Sequence, residues 1–294
     1  MAVPAGQGDR HRRAFAAKRA EALLVVRRLA SDINLPMKTV ILCGGKGTRL
    51  REETEYRPKP MVPIGNRPIL WHIMRRFARH GHKDFILCLG YKGEIIRDYF
   101  KNYQWHSRDV TFALGQPEQA NFHTDESDRD WRLTLCDTGL ESLTAWRVRA
   151  IREHVGHEPF FLTYGDGVGN IDLDALLAFH RRSKAVVTLT AVHPPGRFGE
   201  VGLQADGRVE SFNEKPQTES GYINGGFMVC EPTLFDYLPD DPAMMLEEAP
   251  LRKLVSAGKL AAYRHEGFWQ PMDTYQEFAL LNRLWSEGHA PWVD

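Results

Sequence analysis

The chain lacks most of the features that assign a class at a glance. No stretch of its 294 residues approaches the roughly eighteen uninterrupted apolar residues of a spanning helix, and no apolar h-region with a small-residue cleavage site opens it. The expectation is a cytoplasmic protein with no membrane partner. Net charge is missing too: 38 Lys+Arg balance 38 Asp+Glu, so no global field favours nucleic acid or a membrane surface, and any anion site must be a local basic pocket. Cysteine is scarce. Cys43, Cys88, Cys136 and Cys230 sit singly, mostly in apolar runs, with no CxxC pair and no Cys/His cluster; buried, reduced thiols are expected rather than disulfides or zinc. The histidines show no metal-ligand spacing, so none is nominated as a ligand or a base. No internal repeat or low-complexity segment is evident.

What is present is the composition of a soluble globular enzyme, 43% hydrophobic and 26% charged. Residues 1–36 stand apart, because Arg10, Arg12, Arg13, Lys18, Arg19, Arg27 and Arg28 outnumber Asp9, Glu21 and Asp32 there. A helix from about Arg12 to Ala30 is expected in this basic extension. It reads either as an arm for an acidic partner or a targeting peptide, or as a dispensable extension ahead of an internal start at Met37. The clean start of KTVILCGG after Met37 favours the second reading.

From Met37 to Asp294 the pattern predicts one compact α/β domain. TVILC, KDFILCLGY, VTFAL, EPFFLTYGDG and AVVTLTAV read as strands; RPILWHIMRRFARHG, GEIIRDYFKNY and LDALLAFHRRS read as helices, with Pro68 at one start and Asp172 capping another. Strands alternating with helices of this length argue for a parallel α/β sheet. The second half adds antiparallel pieces: EVGLQADGRVESFNEK alternates around Asp206-Gly207, a hairpin signal, and a strand-like INGGFMVC follows. Two helices, LEEAPLRKLVSAG and TYQEFALLNRLWSEG, close the chain. The acidic segment 116–132 is expected to be a mobile loop. Trp71, Trp105 and Trp269 are expected in the core, with Trp269 the one to watch as a base-stacking platform.

The stretch CGGKGTRLREETEYRPKPM carries the chemistry. A glycine-rich loop after a parallel strand lets backbone N–H groups approach phosphate oxygens. It is neither of two familiar phosphate loops. Gly45-x-Gly47 is followed three residues on by Leu50, which breaks the dinucleotide fingerprint, and Lys46 is followed by Gly47, which breaks the Walker pattern. Arg49 and Lys59 are two cations able to reach one polyphosphate, and Pro58 and Pro60 stiffen the approach of Lys59. Read alone, Asp166 is a turn residue and Asp273 a helix N-cap candidate.

Gly44-Gly45-x-Gly47-Thr48-Arg49-Leu50 followed by Pro58-Lys59-Pro60 resembles the signature of the sugar-1-phosphate nucleotidyltransferases. The motifs YGDGV, PPGRFG, EKP, NGG and FWQPMDT come in that family's order, and the resemblance spans about Met37 to Trp292. DTG at 137–139, FWQPMDT and a terminal APW are similar to the family's cytidylyltransferase branch. The resemblance implies a Rossmann-like α/β fold, a mostly parallel mixed sheet with antiparallel additions and C-terminal helices. It implies Mg²⁺-assisted transfer of a cytidylyl group from CTP to glucose 1-phosphate in a homo-oligomer. Arg49, Lys59 and Lys215 are the implied catalytic cations, and Asp166 and Asp273 the metal ligands. Gly44, Gly45, Gly47, Thr48 and Gly90 would hold the nucleotide. Thr138, Gly139, Gly199, Glu214, Asn224 and Gly225 would meet the sugar. The alternatives are the same chemistry with another nucleoside triphosphate or sugar 1-phosphate, and a non-catalytic regulatory homologue that binds nucleotide sugar. Where the branch continues as Thr-Gly-Gly-Arg, this chain has Thr144-Ala145-Trp146-Arg147, and Trp146 is expected to crowd a ligand approaching that turn.

Overall fold

A computed structural model describes residues 36–123, 128–194, 200–203, 209–213 and 221–293. The expected N-terminal helix lies outside the described residues, and the account below concerns the unit Met37–Asp294. The main sheet is built from β1 (Lys38–Leu42), β2 (Asp84–Leu89), β3 (Arg132–Asp137), β4 (Phe160–Tyr164), β5 (Val187–Val192), β6 (Ile223–Asn224), β7 (Met228–Cys230) and β8 (Leu260–His265). β1 lies between β4 and β2, parallel to both, and β3 continues that side in parallel. β7 joins β4 antiparallel and also pairs β5 antiparallel, with β8 parallel along the opposite edge of β5. The sheet is therefore mixed, and its parallel part includes two strands the sequence reading did not name, β3 and β8.

Alternation along β1 shows why its apolar run is continuous. Ile41 and Cys43 belong to one hydrophobic layer with Phe85, Leu87 and Phe161, while Val40 and Leu42 belong to the other with Ile86, Cys88, Phe160 and Leu162. Both faces are covered, so neither set of side chains could be polar. On the first face lie α1 (Ile69–Arg79), α4 (Leu173–Ser183) and α5 (Tyr275–Ser286), through residues such as Ile73, Phe77, Leu176 and Leu281. α2 (Gly93–Lys101) adds Ile96 to that layer, and α3 (Thr144–Ala150) adds Val148 to the other. Pro68 caps α1 and Gly81 stands beyond its end at φ +84°, as the stop signals predicted. Among the described residues no helix is long and apolar enough to cross a membrane.

Several local expectations are corrected. INGGFMVC is two short strands, because Gly226 and Phe227 take positive φ between β6 and β7 and lift that turn out of the ladder. The acidic segment 116–132 carries a 3₁₀ turn, Pro117–Gln119, and a strand, Asn121–His123, that pairs antiparallel with Asp109–Thr111. VTFAL contributes only its first residues to that pair. Trp105 is 41% exposed and packs edge-on against Phe112 and Phe122 rather than in the core. The terminal APW places Trp292 at 2% exposure with its Nε1–H donating to His72 Nδ1. The hairpin 200–213 forms the expected antiparallel pair, and its Asp-Gly turn lies outside the described residues.

Candidate active site

A cavity of about 530 Å³ opens at the carboxyl ends of β1 and β4, the edge where open α/β sheets bind ligands. Its floor is the glycine-rich loop that follows Leu42. The loop leaves β1 with Cys43 N–H still donating to Cys88 O, then turns at Gly47, whose φ of +62° is open to glycine and strained for other residues. Gly47 O accepts from Leu50 N–H and from Thr54 Oγ1, which pins the turn to the single-turn helix Arg51–Thr54.

Two acidic segments 107 residues apart in sequence meet at one ammonium. Lys59 sits in a 3₁₀ turn, Lys59–Met61, that the flanking prolines hold, and its side chain is 10% exposed. Its Nζ donates to Asp166 Oδ2 at 2.7 Å and to Asp273 Oδ1. Arg49 Nη1 reaches the other oxygen of Asp273 at 3.2 Å. The convergence follows from the strand Trp269–Pro271, which pairs antiparallel with Gly167–Gly169, so that Met272 N–H donates to Asp166 O. Asp273 is not the cap of α5. Thr274 holds that place in a capping box with Glu277, which leaves the Asp273 carboxylate turned to the cations. Burial pulls the Lys59 pKa down, but the Asp166 charge and then the Asp273 contact outweigh it, and the net shift is upward. Lys59 is a fixed cation at neutral pH.

Behind the loop stands Arg147, 4% exposed, on α3. Its guanidinium donates to Leu89 O (2.9 Å), Thr138 Oγ1 (2.7 Å), Gly139 O (2.9 Å) and Gly44 O (3.1 Å). A β-carbon at Gly44 would lie 2.1 Å from its Nη1, and one at Gly90 2.6 Å away. These two glycines, just beyond the carboxyl ends of β1 and β2, are therefore needed to make room for the buried guanidinium. Burial lowers the Arg147 pKa from its ordinary value, and no carboxylate among the described residues lies within ion-pair distance of it. A desolvated cation held by neutral carbonyls at a cavity wall is poised for an anion.

Residues 38–284 match the nucleotidyl transferase family. The chain belongs to that family. It is 49% identical over 257 residues to a glucose-1-phosphate cytidylyltransferase of Salmonella typhi, an alignment covering 87% of this chain and 98% of that protein. A mannose-1-phosphate guanyltransferase of Schizosaccharomyces pombe is 28% identical over 81% of this chain and 62% of its own length. Among solved structures, HddC from Yersinia pseudotuberculosis, complexed with GMP-PN, superposes with a TM-score of 0.62 at 20% identity, covering 85% of this chain and 99% of that one. The fold is thus the Rossmann-like one that the motifs implied.

Gly44, Gly45, Gly47, Thr48, Arg49, Lys59, Asp166 and Asp273 all line the cavity. Gly90, Thr138 and Gly139 do not; they surround Arg147, and Thr138 spends its hydroxyl on Leu89 O. Asn224 reaches the cavity indirectly, its Nδ2–H donating to the hydroxyl of the lining residue Tyr164, and Gly225 offers its carbonyl to Trp269 Nε1–H. Trp269 is accordingly a buried core residue, 9% exposed. Gly199, Glu214 and Lys215 lie outside the described residues. Trp146 does not obstruct the cavity, because Thr144–Ala150 is a helix and the lining residues are Thr144 and Arg147. The sequence reading missed Tyr164 and Glu247 as site residues. Tyr164 donates to Glu247, which also accepts from Thr144 Oγ1 at 2.7 Å; burial and then the Glu247 charge push the tyrosine pKa up. Tyr164 adjoins the Gly-Asp-Gly it helps to place, but nothing local in LEEAP signals Glu247.

Proposed function

We propose that the protein transfers a cytidylyl group from CTP to glucose 1-phosphate, giving CDP-glucose and pyrophosphate. The observation that carries this reading is the convergence of Lys59 and Arg49 on Asp166 and Asp273 at the mouth of a cavity floored by glycine backbone. The relatives named as glucose-1-phosphate cytidylyltransferases support the choice of base and sugar. A sugar-phosphate oxygen attacks the α-phosphorus in line, the bond to the bridging oxygen breaks, and pyrophosphate departs with that electron pair. The nucleophile is already ionised near neutral pH, so no histidine base is required. The work left to the protein is orientation and neutralisation of charge. Backbone N–H groups of the 44–48 loop bind the nucleotide, Arg49 meets the leaving phosphates from the rim, and Lys59 neutralises charge at the transferring group. Arg147 fixes the loop from behind. Lys215, with Glu214 and Gly199, is the proposed clamp on the sugar phosphate, and Asn224 is the proposed sugar contact.

Asp166 and Asp273 suit Mg²⁺, since both are hard oxygen donors and their carboxylates already converge on one cation, Lys59 Nζ. Bound there, Mg²⁺ would neutralise phosphate charge and orient the triphosphate. An oligomer is also proposed, supported by the exposed apolar side chains of Trp105, Phe112 and Leu114 on one arm. The test is pyrophosphate release from a panel of nucleoside triphosphates crossed with sugar 1-phosphates, with and without Mg²⁺. Strong release with CTP and glucose 1-phosphate, abolished by Asp273→Ala in a protein that still folds, is expected. Release with another pair only would move the specificity, and silence across the panel would overturn the enzymatic reading.

A further inference from the structure

A second cavity, of about 200 Å³, shares no lining residue with the first. Its wall carries three guanidinium groups, those of Arg67, Arg75 and Arg108, and one carboxylate, Asp128. We propose that this cavity is a phosphate-binding site distinct from the active site. Three of its donors, Arg67 Nη1, Arg108 Nη1 and the Ser107 hydroxyl, are buried without a well-formed hydrogen bond among the described residues, the Arg67 guanidinium having only the Tyr99 hydroxyl near it. Buried, unmade hydrogen bonds of this kind are costly, most of all on a charged group, so the cluster marks the place of an absent acceptor.

The donors are held in place. Arg67 Nη2 donates to Ser107 O at 3.1 Å, and the Arg67 and Arg75 guanidinium carbons lie 5.3 and 5.1 Å from the Trp71 ring centroid. Asp128 is engaged by Trp71 Nε1–H at 3.0 Å and by the Tyr103 hydroxyl, and the Tyr99 hydroxyl lies close enough to the Arg67 guanidinium for it to oppose the upward push of burial on the tyrosine pKa. Three cations against one carboxylate leave an excess of two positive charges, the charge of a phosphate dianion. The volume falls below the ~300–1,000 Å³ typical of sites for drug-sized ligands, so the ligand is a phosphate group with little attached. Arginine forks and a hydroxyl suit its tetrahedral oxygens.

The site touches two segments that serve catalysis. Arg67 belongs to the hairpin Pro63–Ile64/Arg67–Pro68 that follows Lys59, and Trp285 comes from α5, the helix after Asp273. Asn282 of α5 clasps that hairpin through Gly65 N–H and Pro63 O.

The phosphate group could arrive as the free anion or on a sugar, and parallel titrations separate the two. Full-length protein is titrated with inorganic phosphate and with glucose 1-phosphate, following intrinsic tryptophan fluorescence, to which the lining residues Trp71 and Trp285 contribute. The Lys59→Met background weakens binding in the active site. A saturable response is expected to persist there and to weaken at least tenfold on adding Arg108→Gln, whose Nη1 has no partner to lose. Arg67→Lys, which keeps charge but not the fork, is expected to show an intermediate loss. Tighter binding of phosphate assigns the free anion, and tighter binding of glucose 1-phosphate assigns a sugar phosphate. Absence of a saturable response to either probe, or equal affinity with and without Arg108→Gln, would overturn the proposal.

Discussion

Replacing Arg147 by methionine separates two roles that one side chain performs. The structural loss is smaller than the number of contacts suggests, because the deepest acceptors keep other partners. Gly44 O retains Tyr91 N–H at 3.1 Å, and Leu89 O retains Thr138 N–H at 3.1 Å and Thr138 Oγ1–H at 2.7 Å. Gly139 O and Leu140 O lose the arginine, but Gly139 and Leu140 are partly exposed and water can replace it. A bond to a charged group contributes ~1.5–3 kcal/mol, and release of a desolvated cation offsets part of that loss. The expected destabilisation is about 2–3 kcal/mol, read as a lower urea midpoint with an unchanged slope. Turnover is expected to fall further. The 44–48 loop loses its support, and misplacing one preorganised backbone donor at a site of developing charge typically costs ~10²–10³ in rate. The assay is kcat for pyrophosphate release at a temperature where both proteins are fully folded. Turnover within threefold of the parent would show that Arg147 is dispensable to the active site. A loss of stability above about 5 kcal/mol, the upper range for breaking a buried charge network, would refute the reasoning about retained partners.

Gly44→Ala places a β-carbon 2.1 Å from Arg147 Nη1 and is expected to lower turnover much as Arg147→Met does. The double variant should be no worse than the worse single one, and additive losses would show independent action. His72 and His82 are buried, and desolvation lowers each pKa from 6.5 to about 4. The unfolded chain therefore takes up protons first as pH falls, so this stability is intact above pH 6.5 and is lost towards pH 4. The loss is expected to reach about 2 kcal/mol per histidine by pH 5, and flat unfolding energies between pH 7 and 5 would contradict the burial argument. Thr274→Ala removes the cap of α5 and should cost about 1 kcal/mol in urea unfolding, with a rise in KM for the metal if the Asp273 position depends on that cap.

What could be read in advance was local or periodic. The strands β1, β2 and β4, the helix α1 with its proline start and the capping role of Asp172 are set by neighbours within a few residues. The paired loop motifs around Gly44 and Lys59 named a phosphate chemistry because both cations lie close together in sequence. The misreadings share a cause. Asp273 looked like a cap because only the packed strand Trp269–Pro271 turns its carboxylate towards Lys59. Trp146 looked obstructive because only the helical state of Thr144–Ala150 sends Arg147, and not the indole, to the cavity.

The sequence by itself determined the layered α/β plan, through continuous apolar strands that both faces must bury, and it marked the glycine-rich loop and its two cations as the candidate phosphate site. Only the tertiary structure decided which carboxylates meet Lys59, that Gly44 and Gly90 make room for Arg147, and that Arg67 and Arg108 share a cavity with unfilled donors. Those are contacts between segments far apart in sequence. Their geometry is set by strand register and helix packing, which no local pattern of residues encodes.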